Sequence, residues 1–322
     1  RFRVCTVTTE ARGAPAVEVT VAGTGYTGED GVEIALPTDR AGALSVYYAP
    51  DKDEIYTLDD QGSIRIFEAD TGAAKDILAG HSEYGRTAAY FADDGWLALA
   101  GSGGDVKVWD AAERAAVVTL AGSAPVAALA FSPDGETLAV AGADSRVIVW
   151  DWRSRQPLLT IDGLAQRLAF SPDGTQLAVA QDSTIELFTL ADGQRAHQLI
   201  TGPGGSRDVL LYSPDGAYLI NGGSIPALMV WDAQTGDFVN NLPGVGGDSV
   251  SAAFSPDGSL LATAVLGGAV TLWNMAQINA ETLTRADLDF GAPQALYVDW
   301  SPDGFVLIIV EAAGTIQVWG VP

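Results

Sequence analysis

Cysteine is almost missing from this chain. Cys5 stands alone among 322 residues, which excludes an intrachain disulfide and a cysteine-ligated metal cluster. Histidine is nearly as scarce, with only His81 and His197. Lysine occurs three times (Lys52, Lys75, Lys107) against fourteen arginines, and the formal net charge is −24. A surface of that sign repels phosphate backbones, so nucleic acid is a poor partner, whereas a basic protein surface is a good one. No apolar run approaches a membrane span. The longest, such as "FVLIIV" at 305–310, are far too short, and membrane insertion by this chain is not expected. No signal peptide is visible, and the chain starts at Arg1 rather than Met. That favours a processed chain or an excerpt, with a lean towards an extracytoplasmic location that leaves the cytoplasm open.

What is abundant is apolar residue and glycine. Hydrophobic residues make up 48% and charged residues 18%, with 37 glycines; the chain is long enough and apolar enough for a large core punctuated by many turns. The turns repeat. FSPDG or a close copy stands at 131–135, 170–174, 212–216, 254–258 and 300–304, preceded by FADDG at 91–95 and YAPDK at 48–52. After each comes an alternating apolar strand ending in an aromatic: Phe67, Trp109, Trp150, Phe188, Trp231, Trp273 and Trp319. The gaps run from 38 residues (Trp150 to Phe188) to 46 (Trp273 to Trp319).

Each part of the repeat has a physical reading. Proline presets φ at the second turn position, aspartate tolerates the third, and glycine takes the left-handed value that closes the hairpin. The flanks "VAALAF" and "TLAVAG" read as strands, "RVIVWD" as a third, and "AAVVTLAG" at 115–122 as a weaker fourth. Four short antiparallel strands per repeat, with W-D near the end of the third, resemble the WD40-repeat family over about residues 42–322. The resemblance implies an all-β, seven-bladed β-propeller of four-stranded antiparallel blades. The chain ends just after Trp319, so the last blade lacks its outer strand. A ring must pair its edges, and in the family an N-terminal strand does so; "GVEIALP" at 31–37 stands in the right place. This divides the chain into an N-terminal β-segment, 1–41, and a propeller, 42–322. One departure matters. Gly80-His81 is the only Gly-His, and only Asp144 and Asp182 stand six residues before a repeat aromatic, so apolar packing must hold most blades, as in bacterial-type propellers.

The N-terminal segment offers two chemistries. Gly23, Gly25 and Gly28 space like a dinucleotide fingerprint, but Gly28 leads into "EDGVEIALP", which reads as turn and strand where a nucleotide needs a helix. Residues 24–37, "TGYTGEDGVEIALP", and their flanks across about 1–44 resemble the glycine-cleavage T-protein (aminomethyltransferase) family. That resemblance implies a folate contact, with Glu29 and Glu33 as the candidates. A folate pocket needs walls on several sides, and no other part of that enzyme is matched.

No catalytic residue, cofactor or metal is expected. The two histidines fall in different repeats, and H-E-x-x-H, G-x-S-x-G and a Cys–His pair are all missing. One cluster stands out from the acidic background: "WDWRSRQ" at 150–156. Trp150 should be the core aromatic of its blade. Trp152, Arg153 and Arg155 then fall in the loop between third and fourth strands, on the S-P-D-G face, and tryptophan and arginine are enriched in binding hot spots. The alternative is a Trp152 packed beneath its own loop. The expected function is a non-catalytic scaffold for protein partners, as a subunit or domain of a larger assembly. The alternatives are a small-molecule or glycan-binding, or hydrolytic, propeller with acidic groups around its channel, and a folate-related role of the N-terminal segment.

Overall fold

The computed structural model describes residues 3–9, 17–23, 30–35, 45–49, 54–58, 63–68, 73–78, 85–91, 95–122, 124–202, 209–222, 227–243, 249–265, 270–278, 285–288, 295–301, 304, 306–311 and 315–320. They form six four-stranded antiparallel sheets and one six-stranded sheet. In the third blade, for example, Val126–Phe131, Thr137–Gly142, Arg146–Asp151 and Gln156–Asp162 follow one another from the centre outwards. The innermost strands of successive sheets touch, and Ala295–Trp300 of the six-stranded sheet touches Ser45–Ala49 of the first blade. The expectation of seven like blades is therefore corrected. Six are four-stranded, whereas the remaining sheet joins three C-terminal strands to Arg3–Thr9, Val17–Gly23 and Asp30–Ala35. Asp30–Ala35 pairs antiparallel with Thr315–Gly320, Val32 opposite Val318. Of the dinucleotide glycines, Gly23 ends one strand and the next described element is another strand; Gly25, Gly28 and Glu29 lie outside the described residues, as do Gly80 and His81. Glu33 lies within a strand, opposite Thr20 and Gln317.

The S-P-D-G turns show why the motif recurs. In the third blade Gly135 has φ +67°. The Ser132 hydroxyl donates to Asp134 Oδ1 at 2.5 Å and accepts from Thr137 N, while Asp134 Oδ1 also accepts from Glu136 N. Ser171, Ser213 and Ser255 repeat the pattern with Asp173, Asp215 and Asp257. The serine hydroxyl bond, followed by the backbone bond, holds the Asp134 carboxyl below the usual carboxylate range. The glycines have a second duty. A Cβ on Gly174, Gly216, Gly258 or Gly304 would lie 3.4 to 3.6 Å from the ring of Pro133, Pro172, Pro214 or Pro256. Each of these four turns thus receives the proline of the preceding blade, whereas Gly135 meets the Phe91 ring, and the turns interlock around that face.

Between blades the packing is apolar. Val209, Ile220, Leu228 and Val230 of the fifth blade, for example, meet Leu261, Val265 and Trp273 of the sixth. Asp144, six residues before Trp150, forms an ion pair with Arg146 at the surface, and Asp182, six residues before Phe188, is exposed. Two of the repeat tryptophans find hydrogen bonds on the neighbouring strand instead. Trp231 Nε1 donates to Asn221 Oδ1 at 2.6 Å and Trp273 Nε1 to Thr263 Oγ1 at 3.1 Å, each ten residues earlier. At Trp109 that position is Leu99, and the buried Trp109 N–H has no partner among the described residues.

Two further devices shape the blades. In five of them the register between third and fourth strands shifts just before the repeat aromatic. The outer strand therefore carries one extra residue: Lys75, Val117, Leu158, Ala196 or Val239. An ion cluster also ties the first blade to the second. The buried Glu54 accepts from Tyr56 Oη at 2.6 Å and pairs with Lys75 at 2.7 Å and with Arg114 at 3.3 Å; Arg114 reaches Asp76 at 2.6 Å. Burial alone would push the Glu54 carboxyl up, but the Lys75 and Tyr56 bonds and the nearby cations outweigh it and hold it below its ordinary value.

Candidate functional site

The face bearing the S-P-D-G turns also bears the links between third and fourth strands, which locates the sequence candidates. Trp152 is buried, 1% exposed. Its Nε1 donates to the Gly135 carbonyl at 2.9 Å, and its ring packs against Trp96 (centroids 5.0 Å) and Phe131 (6.3 Å, edge-on). The expectation of Trp152 as a surface contact is corrected: the indole fills the space beneath the turn. Arg153 lies over it, 4.3 Å from the Trp152 ring and 5.4 Å from that of Trp96, and also donates to Gly135 O at 3.3 Å. Trp150, expected as core, is only half-buried.

Arg153 and Arg155 are exposed. Arg155 has φ +60°, and Arg114, at the same place in the second blade, has φ +53°. The fourth and fifth blades put Gly193 (φ +69°) and Gly236 (φ +75°) there. The preceding aspartate sets the turn: Asp110 Oδ1 accepts from Ala112 N and Glu113 N, and Asp151 Oδ1 from Ser154 N. A side chain in that conformation costs about 1 kcal/mol relative to glycine. For Arg114 the ion pairs to Glu54 and Asp76 offset the cost. The Arg155 side chain makes no hydrogen bond or ion pair with any described residue.

One carboxyl departs from the others. On Ala295–Trp300, Val298 and Trp300 join the core shared with the sixth blade. By strand alternation Asp299 points the other way, towards the first blade, beside the fully buried Ile308. Other blades carry Ala130, Ala169, Leu211 and Ala253 at this position. Burial pushes the Asp299 carboxyl up to about 7, against only a hydrogen bond from Trp300 N at 2.9 Å. A folded-state value above the unfolded one means that the folded chain binds the proton more tightly. The contribution of this one group to stability is then fully present below about pH 4 and is lost as pH rises through about 7. Asp299→Asn should abolish this decline, worth about 2 kcal/mol after allowance for partial solvent access. Urea denaturation of both proteins from pH 4 to 8 reads it; equal slopes would show that Asp299 titrates normally.

Among the described residues no group of three or more His, Cys, Asp or Glu is placed to hold a metal ion, and no helix is long and apolar enough to cross a membrane. Sequence comparison finds a domain of unknown function (DUF7165) at residues 91–227 and a WD domain, G-beta repeat, at 236–274. Among curated proteins the chain is similar to Small ribosomal subunit protein RACK1 of Caenorhabditis elegans, 28% identical over 127 residues, covering 37% of this chain and 38% of that protein. The Drosophila melanogaster protein of that name is 28% identical over 150 residues, covering 44% and 45%. The chain thus spans less than half the length of the curated relatives it matches. The family matches begin at residue 91, so the aminomethyltransferase resemblance of the N-terminal segment gains no support from them.

Proposed function

We propose that this chain is a non-catalytic propeller that presents its S-P-D-G face to protein partners as part of a larger assembly. The observation that carries the reading is Arg155. Arg155 holds a positive φ with no partner among the described residues to offset the cost, residues held in such conformations cluster at ligand clamps and switch regions, and Arg153 stands beside it, braced over two tryptophans. The WD40 repeat and the similarity to proteins named as components of the small ribosomal subunit support an assembly role. The net charge of −24 favours a partner with a basic surface and disfavours RNA or DNA phosphates. A hydrolytic or ligand-binding channel is the weaker reading. Asp299 is a perturbed carboxyl of the kind that marks functional sites, but it faces a seam between sheets, with no second carboxylate described beside it. Residues 42–322 make up the propeller, a ring of seven sheets in this reading. Residues 1–41 supply Asp30–Ala35 as the strand that latches the last sheet.

Arg155→Gly separates the partner reading from its rivals. It restores the glycine of the fourth and fifth blades, so thermal stability should hold or rise by about 1 kcal/mol. Quantitative affinity capture with the full chain should recover partner proteins in fixed ratio, with recovery reduced severalfold for Arg155→Gly and for Arg153→Ser. Unchanged recovery with both variants would remove the arginines from the interface.

A further inference from the structure

A cavity of about 260 Å³ opens between the second and third blades. It lies on the face opposite the S-P-D-G turns, among the hairpin Gly142–Arg146 and the link from the second blade to the third. Its walls are largely apolar: Val106, Leu120, Val126, Val140, Ile148 and Trp150. One side is fixed by close backbone contact. A Cβ on Gly122 would fall 1.8 Å from Gly104 O, and one on Gly104 would fall 2.4 Å from Ala124 O. The other side holds the Asp144–Arg146 ion pair, in which Arg146 Nε and Nη2 both donate to Asp144 Oδ2.

Trp150 makes this cavity chemically particular. Trp231 and Trp273 satisfy their indole N–H groups through Asn221 and Thr263, ten residues earlier. At Trp150 that position is Val140, which accepts nothing, and the Trp150 N–H has no hydrogen-bond partner among the described residues. An apolar cleft of this size with one donor in its wall suits a bulky apolar side chain whose adjoining peptide carbonyl accepts that N–H. The mouth adds charge. Arg146 is held by Asp144, and the exposed Asp162 stands opposite Arg146 in the sheet. The local balance is acidic, like that of the whole chain.

We infer that this cavity is a docking site for a partner-protein segment that inserts one large apolar side chain and flanks it with basic residues. The inference rests on the scaffold reading but uses a different face. It adds a second contact and names its chemistry: an apolar anchor, a backbone acceptor for Trp150 Nε1, and cations for the acidic rim.

The test titrates the full chain, ¹⁵N-labelled at tryptophan, with N-acetyl-Lys-Phe-Lys-amide, its charge-reversed form N-acetyl-Glu-Phe-Glu-amide, and the anchorless N-acetyl-Lys-Gly-Lys-amide. The Trp150 indole signal is identified as the one missing from Trp150→Phe. The first peptide should move that signal saturably, and the other two should bind about tenfold more weakly or not at all. Val140→Asn gives Trp150 the internal acceptor that Trp231 has; it should keep the melting temperature and weaken binding by about tenfold. If Val140→Asn melts early, Ala124→Leu, which narrows the cavity, takes its place with the same expected loss. The inference is overturned if the Trp150 signal does not respond, if charge reversal makes no difference, or if binding moves other indoles and survives both variants. Arg155-dependent partner capture alongside an unresponsive cavity leaves the scaffold reading standing and removes this one. A responsive Trp150 with partner capture that no longer depends on Arg155 or Arg153 removes the arginine interface and leaves the cavity as the contact of the scaffold.

Discussion

Replacing Trp152 with alanine lowers the unfolding free energy by about 4 kcal/mol. The side chain is 1% exposed, its ring is bounded by Trp96, Phe131 and the Arg153 guanidinium, and its N–H is bonded to a buried carbonyl. Alanine leaves a cavity that the interlocked turns cannot collapse into, because Gly135 is already closed on by Phe91, 2.4 Å from where its Cβ would lie. Arg153 also loses the surface on which it rests. Trp152→Phe keeps most of the packing and forfeits the hydrogen bond, so it should cost about 1 to 2 kcal/mol. Urea denaturation followed by circular dichroism reads both values. A loss below 1 kcal/mol for alanine would return Trp152 to the surface contacts.

Removing residues 1–37 should lower the melting temperature by roughly 10 °C or more and promote association. The latch proposed above pairs Asp30–Ala35 with Thr315–Gly320 over four positions, Val32 to Ala35. Without it, Thr315–Gly320 becomes an unpaired edge in a sheet whose inner strand also forms the seam with the first blade. Loss of the latch therefore loosens the seam and frees a strand able to pair with another chain. Adding back a synthetic peptide of residues 28–37 should recover part of the stability, because register is set by backbone pairing. A truncated protein that melts with the intact one would show that the ring holds without the segment.

Most of the fold was legible because the repeat carries its own turn chemistry. Proline, aspartate and glycine at fixed offsets from an aromatic place four strands and their order in every unit. The six-stranded sheet was only half legible: "GVEIALP" reads as a strand, but nothing in Arg3–Thr9 or Val17–Gly23 says which sheet they join. Trp152 lies in the loop between third and fourth strands, as its position in the repeat implies, but taken alone it reads as a surface contact rather than as core. The residues at the same offset after the other repeat aromatics, Ala111, Leu190, Ala233 and Met275, are all apolar and buried or half-buried, and that column marks the position as core. The position ten residues before each repeat tryptophan carries a similar signal, polar at Asn221 and Thr263 and apolar at Leu99 and Val140. The Glu54 cluster was not legible. Its members are up to 60 residues apart, and only the stacking of blades brings Arg114 to Glu54.

The extra residue in five outer strands has a bearing on colloidal behaviour. A regular outer strand offers an unbroken ladder of amide and carbonyl groups to a neighbour, the template from which edge-to-edge aggregates and fibrils grow. A bulge interrupts that ladder and twists it out of plane. Val117 and Leu158, the extra residues of two blades, are 48% and 60% exposed, so the perimeter is apolar in places yet geometrically unfit to template a second sheet. Solubility at this rim is a property of backbone shape as much as of charge. Straightening it, by deleting Val117 or Leu158, would make an acidic, well-folded protein prone to assemble through its circumference.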